Sequence, residues 1–315
     1  MTITLLDRAP SSDLAAGLAD FEAGFTYPLG AGRGFRISHG SDYSRFFRSM
    51  GRAACFVAQD GNRVVGALAC VVRHLSLPAG GACEAAYLAD LKVLPGAGSG
   101  RILLRLASAA QTWGGRFTDK AFAVVMEGTR ATPDRYTGRV GIPRLEEVAR
   151  IAILRIPTDG SAGAPVGRYV DDPDRAEISW RALAAGACYA SGGDPAERSE
   201  ISPEPIALAD GAACGRLEDT RRAKRLITLE GDEMISAHLA RFAFRSPEAG
   251  ADLIREACRR SGARGYPALF VAVGDSAAAA IHERLADCSI TVAPARVYAC
   301  ALSTGSPWIV NTSEI

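Results

Sequence analysis

Apolar positions along the first half of the chain switch between strand-like and helix-like spacing. A weak alternation over residues 2–8 predicts a first strand. A Ser/Asp start followed by apolar residues at helical spacing predicts a helix over residues 11–24. A shorter helix is predicted over residues 40–50, with Ser41 or Asp42 as its N-cap.

The middle of the first half is dominated by strand patterns. Apolar runs within residues 53–77 flank Asp60-Gly61-Asn62 and predict a β-hairpin, because Asp-Gly between apolar runs is typical of a tight turn. Residues 83–94 are apolar on both faces and predict a strand in the centre of a sheet. A loop with three alternating glycines follows, and then a helix that ends on Gly114-Gly115. The remaining elements are predicted strands at 120–127 and 146–157 and a short helix or turn at 132–138.

A segment rich in Pro, Gly and Ser, residues 158–167, predicts a linker between two domains, 1–157 and 168–315. Strand, helix, strand, helix, strand occur in the same order in both halves, which points to a diverged internal duplication. The second-half elements are predicted strands at 213–219, 221–230, 233–244, 266–274 and 290–302 and helices at 246–262 and 275–287.

Composition and charge restrict the class of protein. The chain has 315 residues, 48% of them hydrophobic and 23% charged, which is typical of a globular protein. The net charge of +1 excludes a long-range field that would make nucleic acid or a membrane surface the main partner. The first residues lack a signal-peptide pattern, so we expect a cytoplasmic protein.

The eight cysteines are scattered without a CxxC pair, and the four histidines do not cluster with them at metal-ligand spacing. We therefore expect reduced, buried thiols, no disulfide framework and no metal.

The glycine loop carries the first sign of chemistry. A plain tight turn is one interpretation, but glycines at 96, 98 and 100 between a buried strand and a helix start are also typical of phosphate binding. A P-loop is excluded because Arg101 follows Gly100 and no lysine–hydroxyl pair comes next. The dinucleotide fingerprint is disfavoured because Arg101 occupies the place of its third glycine.

The remaining interpretation of the loop is acyl-CoA binding. The first half resembles the GNAT N-acetyltransferase superfamily in strand order and in its segment LKVLPGAGSGRILL, which is similar to the family's V-x-P-x-x-[RQ]-x-x-G-x-[GA]. The loop is shorter than that pattern and lacks its Arg or Gln. Resemblance covers residues 1–157 well and 200–303 weakly. It implies an α/β (α+β) fold of two GNAT-like domains, each a mixed, mostly antiparallel twisted sheet flanked by helices.

The resemblance also implies roles for particular residues. Tyr136 would be the general acid that protonates the leaving thiolate, and Glu84 is the first choice for the base, with Asp90 and Glu127 as further candidates. Arg101 or Arg105 would reach a phosphate. The acyl-CoA-binding set would comprise Leu91, Lys92 and Val93 through their backbone and Gly96, Gly98, Ser99, Gly100 and Arg101 in the loop.

The second half lacks this equipment. Glu248 lies where a phosphate would bind and would repel it. His282 lies where the family has its tyrosine. We therefore expect that the second half has lost CoA binding and shapes the acceptor pocket or packs on the first domain.

These observations predict an acyl-CoA N-acyltransferase, with acetyl-CoA as the expected co-substrate and a small-molecule or peptide amine as acceptor. One alternative is a non-catalytic acyl-CoA-binding or regulatory module, and another is a longer-chain N-acyl amino acid synthase. A nucleotide-dependent oxidoreductase is a fourth, weaker hypothesis. The identity of the acceptor and the oligomeric state remain open.

Overall fold

The structure is a computed structural model that describes residues 1–30, 33–78, 80–96, 98–129, 132–302 and 305–315. The strands of its first half are β1 (Thr2–Leu6), β2 (Tyr27–Gly30), β3 (Arg33–Ser38), β4 (Arg52–Asp60), β5 (Arg63–Ser76), β6 (Ala82–Val93), β7 (Ala121–Met126) and β8 (Glu146–Pro157). The helices of the first half are α1 (Ser12–Ala23), α2 (Arg45–Arg48), α3 (Ser99–Gly114) and α4 (Pro133–Tyr136).

The second half contributes a further set of elements. Its strands are β9 (Tyr169–Val170), β10 (Cys188–Ser191), β11 (Glu204–Leu208), β12 (Ala213–Glu218), β13 (Arg225–Thr228), β14 (Ala237–Phe244), β15 (Ala268–Gly274), β16 (Thr291–Cys300) and β17 (Trp308–Ile309). Its helices are α5 (Pro173–Leu183), α6 (Pro247–Ala263) and α7 (Asp275–Arg284). One-turn 3-10 helices lie at Pro195–Glu197 and Thr312–Glu314.

One large sheet runs through both halves, in the order β1-β4-β5-β6-β7-β16-β8-β15-β14-β12-β11-β9. Strand pairs are antiparallel except β6 with β7, β14 with β15 and β10 with β17, which are parallel. The predicted fold class, a mixed and mostly antiparallel sheet flanked by helices, is confirmed. A small sheet of β13, β3 and β2 also combines strands from both halves.

The halves exchange the strands β8 and β16. β16 from the second half pairs with β7, and β8 from the first half lies between β16 and β15. Residues 158–168 connect the halves without helix or strand. The division into domains at 158–167 stays a prediction.

Both faces of the β4–β5 hairpin are buried. Successive side chains of a strand point to opposite faces, so Cys55 and Val57 join the cluster with α1 and α2, while Phe56 packs with Leu106 of α3. Gly61 makes the turn with φ 59, as the Asp-Gly pattern predicts.

The second predicted helix is shorter in the structure. The helix predicted over 40–50 is only α2, and its N-cap is Ser44 rather than Ser41 or Asp42. The Asp42 carboxylate instead binds the Arg48 guanidinium at 2.9 Å and the Ser44 hydroxyl at 2.9 Å. These contacts tie the residues before α2 to its last residue.

The α6 prediction is confirmed in detail. Ser246 is the N-cap and its hydroxyl accepts from the Ala249 N–H at 3.3 Å, with Pro247 at the first helical position. The strand predicted over 233–244 starts only at Ala237, because the preceding residues fold back to form a bridge between Glu233 and Ile227.

We predict that Leu106→Ala lowers the free energy of unfolding by about 3 kcal/mol, because Leu106 is fully buried between α3 and the sheet. Leu103, one turn earlier on the adjoining side of α3 toward the cavity and only partly buried, is the matched control, and Leu103→Ala should cost clearly less. Urea unfolding of both variants measures the difference. Equal losses would contradict the assignment of the packing face.

Candidate active site

A cavity of about 610 Å³ lies where β6 and β7 move apart. The two strands pair only at Ala86 with Ala121 and Tyr87 with Phe122. Beyond these pairs, both strands line the cavity. The lining residues from β6 are Leu88, Ala89, Asp90 and Leu91, and those from β7 are Ala121, Ala123, Val124, Val125 and Met126.

A β-bulge in β6 interrupts the regular strand pairing beside this cavity. Ala89 pairs with Ala69 of β5 and Lys92 with Ala67, so Asp90 and Leu91 have no partner residue in β5 or β7. Asp90 adopts φ 54, a left-handed conformation that is uncommon outside glycine. Such strain is typical of functional sites.

The second half repeats this bulge in the same register. Ala240 pairs with Arg216 and Ala243 with Cys214, so Arg241 and Phe242 correspond to Asp90 and Leu91. Arg241 also has a left-handed φ, 49. The shared register supports an internal duplication.

In the second half the bulge is covered by the protein itself. The backbone N–H of Arg241 donates to the Asn311 side-chain carbonyl at 2.8 Å. The Thr312 hydroxyl adjoins the Phe270 carbonyl at 3.3 Å and the His238 imidazole at 2.9 Å. Residues 311–312 therefore fill the gap beside β14 and β15. The corresponding gap beside β6 and β7 is the cavity.

The helix α3 faces the cavity with small side chains. Residues Leu106 and Ile102 on one face pack on the sheet. The face toward the cavity carries Leu103, Ala107, Ala110, Gln111 and Gly114. The cavity continues beneath this face as far as residues 118–120.

The glycine loop lies at the N-terminus of α3 and is exposed. Gly96 and Gly98 have φ 140 and 92, which side chains rarely adopt. Gly100 has no such φ, yet a Cβ built on any of the three would meet nothing within 4 Å. Since neither backbone strain nor crowding requires glycine at 100, open approach to a ligand is a sufficient reason for it.

The amides of this loop are partly used. The Ser99 N–H donates to the Gly96 carbonyl at 3.3 Å and the Arg101 N–H to that of Gly98 at 2.9 Å. Those of Gly98 and Gly100 make no hydrogen bond to any other described residue. Arg105 donates to the Met1 carbonyl at 2.8 Å, whereas the Arg101 side chain is exposed.

Tyr136 ends α4 and lines the cavity. Burial raises the pKa of its phenol to about 12, with Tyr298 and Asp134 adding to the shift. The phenol therefore carries its proton at neutral pH. Thr129 also lines the cavity, and its hydroxyl donates to the Met126 carbonyl at 3.0 Å.

The carboxylates predicted as bases lie in different places. Glu84 is exposed near the start of β6 and does not line the cavity. Glu127 is exposed and paired with Arg296 at 2.9 Å. Asp90 lines the cavity, and its carboxylate accepts from the Tyr43 hydroxyl at 2.5 Å.

A buried cluster of charged side chains adjoins the bulge. Sequence reasoning did not find this cluster. The Lys92 ammonium contacts the Asp90 carboxylate at 2.8 Å and that of Glu22 at 3.2 Å. The His39 imidazole contacts Glu22 at 2.6 Å through Nδ1. Burial alone would raise the pKa of Glu22, but His39 and Lys92 outweigh burial and lower it to about 2.

The sequence holds little trace of this cluster. Glu22 lies beside Phe21 on the buried face of α1, and His39 is a single histidine after a glycine-rich hairpin. Lys92 was predicted to contribute only its backbone. An unexpected acidic residue on an apolar helix face was the one available signal.

The far end of the cavity is lined partly by second-half residues. Lys224 lies there with its ammonium 4.3 Å from the centre of the Phe46 ring, and it donates to the main-chain oxygen of Ile315. Burial lowers the pKa of Lys224 to about 7. His238, Leu226 and Phe270 lie in the same wall.

The second-half residues considered from sequence lie elsewhere. Glu248 pairs with Arg284 at the exposed start of α6, and His282 is exposed on α7. Neither lines the large cavity. Among the described residues, no helix is long and apolar enough to cross a membrane.

Comparisons with known proteins bear on the fold. No family model and no curated protein matches the chain. Saccharomyces cerevisiae N-myristoyltransferase with bound myristoyl-CoA is similar in structure, with a TM-score of 0.63 and 9% identity over 99% of this chain and 87% of that chain.

A GCN5-related N-acetyltransferase from Anabaena variabilis is also similar, with a TM-score of 0.50 and 13% identity over 95% of this chain and 72% of that chain. At such identities the likeness concerns the fold. The chain thus has the fold of these acyltransferases, which confirms at the level of fold the predicted resemblance to the GNAT superfamily.

Proposed function

We propose that the protein is an acyl-CoA-dependent N-acyltransferase that acts on an amine of a small molecule or peptide. The observation that carries this proposal is the bulge at Asp90 in a cavity between diverging strands. Its counterpart at Arg241 donates a backbone N–H to a carbonyl oxygen at 2.8 Å. In the first half, the thioester carbonyl would take the place that the Asn311 carbonyl occupies in the second.

This arrangement suits acyl transfer. A backbone N–H fixed at the carbonyl oxygen stabilises the negative charge that develops there when an amine attacks. Lys92 and Val93 pair with β5, so we assign the main backbone contact to Asp90 and Leu91. The solved structure of N-myristoyltransferase with bound myristoyl-CoA supports an acyl-CoA as the co-substrate.

The glycine loop would hold the pyrophosphate of CoA. The amides of Gly98 and Gly100 lie at the positive end of the α3 dipole, and open space surrounds both residues. Arg101 would add a positive charge at this exposed position.

We predict that Gly100→Glu weakens acyl-CoA binding about tenfold or more, because it adds a carboxylate beside the pyrophosphate. The melting temperature should change little, since a Cβ at this position meets no atom within 4 Å. Calorimetric titration with acetyl-CoA and a long-chain acyl-CoA measures the effect. Gly274→Glu is the matched control, because Gly274 precedes α7 and is equally open. Unchanged affinity in Gly100→Glu would contradict the assignment of the loop.

Tyr136 would protonate the thiolate as the C–S bond breaks. Its phenol lines the cavity and keeps its proton at neutral pH. Glu84 does not line the cavity, so its carboxylate is not in place to serve directly as the base.

We predict that Tyr136→Phe lowers kcat about 10²-fold while acyl-CoA affinity is retained, because only the proton donor is lost. Release of free CoA measures turnover, and calorimetry measures affinity. Tyr189→Phe, outside the cavity, is the control. Normal turnover by Tyr136→Phe would remove the tyrosine from the mechanism.

A non-catalytic acyl-CoA-binding module is the alternative, favoured by the loop without its Arg or Gln. It predicts binding of acyl-CoA with no release of CoA for any amine, so measured transfer decides between the two.

The cavity favours an acyl chain longer than acetyl. It extends beneath α3 along Ala107, Ala110 and Gly114 toward residues 118–120. Small side chains on a helix leave a channel that an alkyl chain fills with favourable loss of apolar surface. We therefore favour a long-chain donor over acetyl-CoA.

We predict that Ala107→Leu lowers kcat/KM for tetradecanoyl-CoA at least tenfold relative to acetyl-CoA, because it narrows the channel. Ser108→Leu, on the exposed side of α3, is the control and should leave the ratio unchanged. A wild-type preference for acetyl-CoA, unaltered by Ala107→Leu, would show that the channel does not hold the acyl chain.

A further inference from the structure

His39 is the one imidazole of the described residues that combines a carboxylate partner with a place in the cavity wall. Its side chain is almost fully buried, and the rings of Tyr43, Phe46 and Phe47 surround it at 5.0–5.4 Å. The Glu22 carboxylate contacts His39 at two points, the ring Nδ1 at 2.6 Å and the backbone N–H at 3.1 Å.

The contact between Nδ1 and Glu22 fixes the tautomer of the neutral ring. The Glu22 carboxylate is ionised at neutral pH, because its pKa is lowered to about 2. An ionised carboxylate only accepts hydrogen bonds, so Nδ1 must carry the proton. Nε2 is then the unprotonated nitrogen, and no described side chain donates to it.

The ring lies beside the proposed reaction centre. One of its nitrogens is within 4.8 Å of the Asp90 carboxylate and of Glu22. Asp90 forms the bulge whose backbone faces the thioester. His39 therefore lies in the same part of the cavity wall as the bulge.

The charged groups around His39 come from three residues. Glu22 and Asp90 are two carboxylates against the single Lys92 ammonium, so the cluster has a net charge of about −1 when His39 is neutral. The other polar groups that face it are the phenols of Tyr43 and Tyr27, whose pKa values are raised mainly by burial and so stay neutral. Lys224 lies on the far side of Phe46. Burial lowers its pKa to about 7, so only part of the Lys224 population is charged at neutral pH.

Asp90 itself is a poor choice for the base. Its carboxylate is already engaged by the Lys92 ammonium at 2.8 Å and the Tyr43 hydroxyl at 2.5 Å. These two donors occupy the oxygens that a proton from the acceptor amine would need.

We propose that His39 is the general base of the transfer reaction, with Glu22 as the positioning residue that fixes its tautomer. This inference rests on the proposed N-acyltransferase function. Nε2 removes one proton from the acceptor ammonium and leaves a neutral amine. The amine lone pair forms the C–N bond to the thioester carbon while the carbonyl pair moves to oxygen.

The remaining steps balance the protons. When the intermediate collapses, the C–S bond breaks and the thiolate takes a proton from Tyr136. The nitrogen gives its second proton to the Tyr136 phenolate, and the imidazolium of His39 releases its proton to solvent. The negative charge of Glu22 and Asp90 stabilises that imidazolium.

The test compares two acceptors that differ in protonation. An ordinary primary amine is an ammonium at neutral pH and needs a base, whereas hydroxylamine is uncharged at that pH and does not. His39→Asn removes Nε2 but retains an amide N–H that can donate to Glu22. We expect kcat with the primary amine to fall about 10²-fold or more and transfer to hydroxylamine to change little.

The pH profile gives a second readout. A general base acts only when unprotonated, so kcat/KM of the wild-type protein for the primary amine should fall on the acid side, and His39→Asn should remove that limb. Glu22→Gln, which retains shape but loses the charge, should lower kcat less than His39→Asn and alter the same limb. Acyl-CoA affinity by calorimetry should be unchanged, and His282→Asn, an exposed histidine, is the control.

Several outcomes would overturn the assignment. Equal losses with both acceptors would make His39 a structural residue, and unchanged kcat with the primary amine would exclude it as the base. If His39→Asn does not fold, the acceptor comparison in Glu22→Gln decides in the same way. A wild-type protein that transfers to neither acceptor would remove the proposed function itself, a failure visible before any variant is compared.

Discussion

The backbone of β6 leaves its regular pairing at Asp90, and the cavity depends on that departure. A residue with a left-handed φ inside a strand is unfavourable unless its surroundings hold it. Here the Asp90 side chain is held by Tyr43 and Lys92, and Lys92 is held in turn by Glu22. One buried ammonium thus connects α1, β6 and the segment before α2, and it fixes the bulge, the carboxylates and the imidazole relative to each other.

The two halves show what the bulge can do. Both have it in the same register, but the second half covers its bulge with Asn311, whereas the first leaves it open. Two halves with the same bulge, one covered and the other facing a cavity, are the arrangement that an internal duplication followed by divergence of one copy would produce. The occupied copy also shows the geometry of a carbonyl on the free N–H.

Sequence reasoning located the strand, the glycine loop and the short helix with Tyr136, because each is encoded by neighbouring residues with a clear period. It could not locate the base, because Glu22, His39 and Lys92 come from three elements that meet only in the folded sheet. Nor did it reveal the bulge, since a single aspartate within an apolar run does not encode a left-handed backbone. The strand exchange was equally hidden, because β8 and β16 read as ordinary buried strands and nothing local names their partners.

The exchange of β8 and β16 has a consequence for biosynthesis. The edge of β7 that faces away from β6 is paired only when β16 is present. The Arg296–Glu127 contact spans a sequence separation of 169 residues. A nascent chain that has emerged only as far as α6 therefore exposes the unpaired edge of β7, a template for wrong pairing. Such long-range pairing is also slow. Competence to bind any ligand in the cavity is thus acquired late, after nearly the whole chain has left the ribosome.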